Sequence, residues 1–396
     1  MESPHGRRNR PPVGVKGRVI GRRLGWRWAL VAGGLAILCA LPALASARPV
    51  SAPAVSADQL RSRILASGDL PFSGYAESNA TFGLPSLPGL SDVTSLLDGV
   101  TKMQAWQASP SSWRVDVLSD TGERDTYQRA ASSYVWDSGS ELLTRIAGRP
   151  TVRLPRAADF LPPSLASRLL REAGRAARFT VLPPRRVAGL AADGLRVVPG
   201  DPASTVGRID IWADATDGLP LDVQIFSRGA HHPALETHFF QVGRWTPDRA
   251  ILTPQRGPGT GFSTASASSL AGELSHLLPI VLPVKLAGRP VQIIPDLLPI
   301  GIYGRGLSTF AVLALGGSTG ERLLNGARAA GGIPVRSTGA TGVVVSSPLV
   351  TVVLMHPDDQ GRRPDADETF LLAGLADRQV LEQAAATLVS RSGEAF

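Results

Sequence analysis

The chain has 396 residues, with 41 lysines and arginines against 33 aspartates and glutamates, for a formal charge of +8. Read by position, eight bases and one acid precede Arg48, which leaves 33 bases against 32 acids in the remainder. The body is nearly neutral, has no field to track a phosphate backbone, and no nucleic-acid partner is expected.

Hydrophobic residues make up 43% of the chain, enough for a packed core, and the length allows two or three domains. Together, 42 glycines and 32 prolines argue against long unbroken helices. The single cysteine, Cys39, lies before Arg48, so disulfides, thiolate zinc sites and cysteine nucleophiles are excluded from the body.

Residues 1–28 are polar and arginine-rich, a basic cytoplasmic leader. From Ala29 to Ala47 no charge occurs, and the run ends in Ala45-Ser46-Ala47, a small-x-small pattern suited to signal peptidase. The run is also close to the about 20 residues that span a bilayer, so residues 29–47 read as a signal peptide or a single anchor. Both readings leave the N-terminus in the cytoplasm and export the rest. Leu38, before Cys39, disfavours lipidation, and Gly25-Trp26 is a poor continuation of a twin-arginine signal at Arg22-Arg23. From 279 to 300 the chain is apolar but interrupted by Lys285, Arg289, Asp296 and four prolines, so no second span is expected.

Ser56 to Ala66 reads as an amphipathic helix with Leu60, Ile64 and Leu65 on one side. Residues 72–82 read as a strand, 84–90 as a loop, and Ser91 as the cap of a short helix to Leu97. Strands follow at 101–108, 112–118, 123–130, 132–137 and 142–147. In the second of these Trp113, Val115 and Val117 alternate with Arg114 and Asp116, the period of a sheet with one apolar face. A helix lies within 158–176, starting at Pro162 or Pro163. Strands resume at 178–182, 186–191, 194–199, 206–213, 219–227 and 234–243, with Asp217-Gly218 as a turn. Residues 254–266 read as a loop and 269–278 as a helix. Beyond them come a proline-rich stretch, a strand at 308–315, a helix at 319–330, strands at 342–346 and 349–355, a polar loop at 356–368, a strand at 369–373 and a helix at 377–390.

This order resembles the LolA lipoprotein carriers and their relatives, the RseB/MucB sigma-factor regulators. The residues that carry the resemblance are Phe72-Ser73-Gly74-Tyr75-Ala76-Glu77, Trp113-Arg114-Val115-Asp116, Tyr134-Val135-Trp136-Asp137, and Ile211-Trp212-Ala213-Asp214 followed by Gly218-Leu219-Pro220-Leu221. In the last part they are Tyr303-Gly304-Arg305-Gly306-Leu307-Ser308-Thr309-Phe310 and Phe370-Leu371-Leu372-Ala373-Gly374. The resemblance covers about 55 to 390, and its motifs are common apolar and turn residues in a shared order. It implies an α+β fold: a half-open antiparallel β-barrel with lid helices over 55–250, a linker over 251–279, and a smaller C-terminal α+β domain over 280–396. It further implies an acyl chain of a lipid or lipoprotein held on an apolar concave surface. In the regulator branch the second domain contacts an anti-sigma factor; a transporter subunit is the other partner considered. The carrier branch usually ends after the barrel, whereas this chain continues for over 100 residues.

For the acyl pocket the candidates are Phe72, Tyr75, Trp106, Trp113, Val115 and Val117, then Trp136, Trp212, Ile225 and Phe239. Arg114 joins them because carrier pockets use an inward arginine on the early strands. Whether these side chains fill the barrel or line a hollow stays open. For partner binding the candidates are Tyr303, Gly306, Leu307 and Phe310.

Three groups of residues suggest chemical alternatives. Gly316-Gly317-Ser318-Thr319-Gly320 matches a nucleophile elbow between strand and helix, but after Ser318 only Glu321 and His356 could complete a relay, and Glu321 is one turn away. A secreted serine hydrolase is thus the remote reading, and no enzyme is expected. His231, His232 and His238 lack a carboxylate spacing that completes a metal set. Asp358, Asp359, Asp365, Asp367 and Glu368 do not follow calcium-loop spacing. Neither a metal nor a cofactor is expected.

Overall fold

The structure, a computed structural model, describes residues 55–83, 91–119, 122–148, 153–257, 259–266, 277–278, 282–292, 294, 300–358 and 368–394. The leader, the apolar run at 29–47, the loop at 84–90, most of the helix expected over 269–278 and residues 359–367 of the acidic loop lie outside these residues. All described residues belong to one compact unit, Val50–Phe396. Among them no helix is long and apolar enough to cross a membrane.

The first helix, α1 (Ala57–Ala66), starts where Ser56 and Gln59 cap one another. The Ser56 hydroxyl accepts from the Gln59 N–H at 3.2 Å, and Gln59 Oε1 accepts from the Ser56 N–H at 3.1 Å. Leu60 and Ile64 then bury one face. After β1 (Phe72–Thr81) and the short α2 (Ser91–Leu97) comes the meander β2 (Asp98–Ser109), β3 (Ser112–Ser119), β4 (Gly122–Arg129), β5 (Ser132–Asp137) and β6 (Leu142–Ala147). Helix α3 (Pro162–Glu172) begins with proline at its first turn, where a missing N–H costs nothing, and buries Leu165, Ala166, Leu169 and Leu170. Strands β7 (Arg178–Val187), β8 (Leu190–Val198), β9 (Val206–Asp214), β10 (Pro220–Ser227) and β11 (Leu235–Gly243) complete the second half.

β1 pairs with both β2 and β11, so the two halves join into one curved, open sheet in the order β12 (Gly261–Ser266)-β6-β5-β4-β3-β2-β1-β11-β10-β9-β8-β7, antiparallel except at the β12–β6 pair. The fold is α+β, with helices on one face of this sheet. The β1–β11 join is tight: a Cβ at Gly74 would run into the Gln241 carbonyl and the Phe239 ring.

Three local readings change. Residues 178–191 form no pair of strands broken near Pro183; β7 runs through Pro183 and Pro184 with a register shift between Leu182 and Arg185. Prolines have no ladder donor, so the strand bulges there instead of ending. The chain turns at Ala188 (φ 50°) and Gly189 (φ 78°), the two positive angles of a two-residue hairpin. Residues 261–266, read as loop, form β12 (Gly261–Ser266), parallel to β6 and joined to it by the Ser263 and Thr144 hydroxyls at 2.9 Å. Leu277 and Leu278, read as helix, form a short strand β13 on the second sheet.

That sheet runs β14 (Lys285–Leu286), β15 (Arg289–Gln292), β16 (Gly301–Tyr303), β17 (Phe310–Gly316), β21 (Glu368–Gly374), β20 (Thr351–Pro357), β19 (Ala340–Ser346), β18 (Ile333–Ser337). Helices α4 (Gly317–Ala329) and α5 (Arg378–Glu394) pack on it. β14, β15, β16 and β18 carried no reading as strands; all are short, and β15, β16 and β18 contain proline or glycine.

The Phe72 and Phe239 rings meet edge to face at 5.6 Å between centroids, each about 1% exposed. Phe239→Ala should therefore cost about 3–5 kcal/mol, read as a lower denaturant midpoint with unchanged slope.

Candidate functional site

The alternation of the strands divides the acyl-pocket candidates between two faces. On the helix-covered face lie Phe72, Val115, Ile225 and Phe239, all buried, with Trp113 half-buried against the same core. Val117 shares this face, directly opposite Met103. Helix residues Leu60, Ile64, Leu165 and Leu170 fill the space above them. On the other face lie Tyr75, Trp106, Arg114, Trp136 and Trp212. The register places them there: Arg114 stands opposite Trp106 and Tyr127, Asp125 opposite Trp136, and Asp222 opposite Trp212. Arg114 thus points away from the apolar core, as its alternation with Trp113 and Val115 requires.

Arg114 is the centre of a charged cluster. Its Nε donates to Asp116 at 2.6 Å and its Nη2 to Asp125 at 2.8 Å, while its guanidinium lies over the Trp106 and Tyr127 rings. Two buried carboxyls share one cation. Burial, only partly offset by Arg114, pushes Asp116 up to about 7 and Asp125 up to about 6. Further round the same face, Arg196 grips Asp210 with two bonds of 2.7 and 2.6 Å. Arg185 donates to Asp222 at 2.7 Å and stacks on Trp212. His231 and His232 are exposed in a turn; His238 lies on β11, its ring 4.4 Å from that of Phe240.

The partner candidates also separate. Tyr303 and Phe310 do not face a partner: they stack at 5.5 Å in the second core, and the Tyr303 hydroxyl donates to the Pro283 carbonyl. Two large rings opposite one another on paired strands are what that small core is built from. Gly306 and Leu307 lie where the second sheet meets the first. Leu307 packs into the core of the first sheet, and a Cβ at Gly306 (φ 67°) would strike the Glu172 carbonyl.

This seam is held by the β8–β9 loop. Asp201 accepts from Arg289 at 2.9 Å, from the Ser308 hydroxyl at 2.6 Å and from the Ala203 N–H at 2.9 Å. Burial alone would raise its pKa; these donors and the nearby charges of Arg289 and Arg228 outweigh it and hold the carboxyl below its usual value. Thr205 bonds to the carbonyls of Leu349 and Leu375, the Ser204 hydroxyl to that of Leu307, and the Asp377 N–H to that of Ala203. Beside the seam opens a cleft of about 450 Å³. The end of α3 supplies Arg171, Glu172 and Arg175; the other side supplies Gln292, Arg305 and Ser308. No motif marks these residues, because they meet only through the packing of two sheets.

Ser318 sits in the first turn of α4, and His356 Nδ1 pairs with the Thr369 hydroxyl at 3.2 Å.

No protein-family model matches the sequence, and no curated protein matches it. Similar solved structures include the Pseudomonas aeruginosa MucA/MucB complex, at 16% identity over 83% of this chain and 96% of that one, with a TM-score of 0.45. MucB in a structure of its own gives 15% identity, 83% and 96% coverage and a TM-score of 0.38. A LolA superfamily protein from Nitrosomonas europaea gives 11%, 51%, 99% and 0.23. MucB and the LolA superfamily are both among the groups that the sequence resembles. At such values the fold stands on the strand pairing described above.

The raised carboxyls set a pH dependence. A folded pKa above the unfolded value of about 3.9 stabilises the fold most below that value, and the contribution is lost as pH rises through about 7. The denaturation midpoint should fall between about pH 4 and about pH 7, and Asp116→Asn should flatten that fall without lowering stability at the upper end.

Proposed function

We propose that this is an extracytoplasmic binding protein of the regulator type, which holds an extended acidic segment of a membrane-bound partner at the seam cleft and performs no bond-making chemistry. The observation that carries this reading is where space is found. The helix-covered face is filled: Leu60, Ile64, Ile209, Ile211 and Leu170 are fully buried there. The open cleft instead lies between the sheets and is rimmed by exposed Arg171, Arg175 and Arg305, against exposed Glu172 and an Asp201 carboxylate already paired with Arg289. Export rests on the uncharged run before Ala47 and the basic residues ahead of it. The resemblance to the regulator branch makes an anti-sigma factor the first partner to try, with a transporter subunit second.

Fluorescence anisotropy of labelled acidic and basic peptides against the full chain tests the reading. Acidic peptides should bind, and Arg175→Glu with Arg305→Glu should weaken them roughly tenfold or more. Equal binding of both peptides, or no loss in the double variant, would overturn it. Ser318→Ala should leave binding unchanged.

Acyl-chain sequestration is kept as a second reading because Trp113 and Val117 stay half-buried on the helix-side face. Native mass spectrometry of the purified chain should then show a bound lipid; a bare mass, with no uptake of an acylated probe, removes this reading.

A further inference from the structure

We propose that Asp222, Glu236 and His238 form a binding site for one divalent transition metal ion of the zinc class. The three project from the same face of β10 and β11, since Asp222 stands directly opposite His238 and Gln224 opposite Glu236. One ligand atom from each lies within 4.8 Å of the others. Donors about 2.0–2.2 Å from a tetrahedral zinc ion are about 3.4 Å apart, so side-chain shifts of at most about 1.4 Å close the set.

The surroundings are arranged as a second layer of donors. Arg185 donates to Asp222 Oδ2 and Gln224 Nε2 to Glu236 Oε1, each at 2.7 Å. Each carboxylate is thereby oriented with its other oxygen free. Asp222 is only 5% exposed, and its Oδ1 has no hydrogen-bond partner. His238 Nδ1 is likewise buried and unpartnered. An unpartnered carboxylate oxygen beside an unpartnered imidazole nitrogen is costly in a protein interior, and a cation satisfies both at once when Nδ1 carries no proton. Two carboxylates against the single charge of Arg185 leave room for added positive charge. An imidazole ligand selects zinc-class ions over calcium or magnesium, which take oxygen.

The molecule offers an internal contrast. Asp116, Glu123 and Asp125 also come together, but Arg114 lies among them and supplies their cation. At the β10–β11 cluster Arg185 reaches Asp222 alone, and among the described residues no ion pair is made by Glu236 or His238.

The test is isothermal titration of the chelator-stripped full chain with Zn2+, in a Cys39→Ser background, together with Co2+ titration followed by its visible ligand-field bands. One equivalent should bind, with bands of nitrogen and oxygen ligation. Loss of affinity should be tenfold or more in His238→Ala and in Asp222→Asn. His231→Ala with His232→Ala should change nothing. Gln224→Ala, which removes only an orienting donor at the sheet surface, should weaken binding while leaving the thermal midpoint of the metal-free protein in place. No binding to the wild-type chain overturns the proposal. Binding that survives His238→Ala, or that follows His231 and His232, overturns it too.

Discussion

The carboxylate of Asp201 is the point on which the arrangement of the two sheets depends. It lies in the loop between β8 and β9 yet accepts from Arg289 and Ser308, both from the second sheet's side of the chain. Charge-assisted bonds of this kind are stronger than neutral ones and hold direction as well as distance. With the bonds of Ser204 and Thr205 beside it, the loop becomes a shared edge, and Leu307 and Leu349 can pack into the first core. The cleft follows from that anchoring. Its two walls come from chain segments more than a hundred residues apart, and they face one another because Asp201 ties the loop between them.

The second constraint is the alternation of the large sheet. Once Phe72, Ala76, Met103, Ala105, Val115 and Phe239 are committed to the helix side, the intervening residues must meet the other side. That side has little apolar cover, so it is built from paired charges laid along the strands: Arg114 with Asp116 and Asp125, Arg196 with Asp210, Arg185 with Asp222. Arginine serves because its flat group both bridges carboxylates and stacks on Trp106 and Trp212. Aromatic side chains on this side therefore act as lids on ion pairs. Those on the helix side act as filler.

Much of the fold was legible because it obeys local rules. The alternation around Trp113, the apolar spacing of Leu60 and Ile64, and the proline start of α3 all state their structure within a few residues. What was illegible depends on partners distant in sequence. β12 has almost no apolar pattern and exists through pairing with β6. The break at Pro183-Pro184 looked like a strand end, since proline ends most strands, and only a neighbouring strand that tolerates a shift reveals a bulge. The acyl-pocket candidates were chosen as aromatic residues on strands, which the sequence does supply. Which face each took required the register. Tyr303 and Phe310 were visible as a motif, but their burial arises from the stacking of β16 on β17.

A neutral body and a basic-rimmed cleft have a joint consequence for recognition. Beyond Arg48 the bases and acids nearly balance, so no long-range field steers a partner to the protein. Arg171, Arg175 and Arg305 act over about a Debye length, about 8 Å at physiological salt, and therefore only on something already near the seam. Selectivity must then come from local contacts with the cleft walls. On the function proposed above, a segment tethered to the same bilayer would be confined near the seam, because tethering replaces diffusion by a high effective concentration. An arginine-rimmed groove of modest size is suited to such a tethered partner: it needs only enough affinity to compete once the segment is present, and its charges discriminate sign at short range.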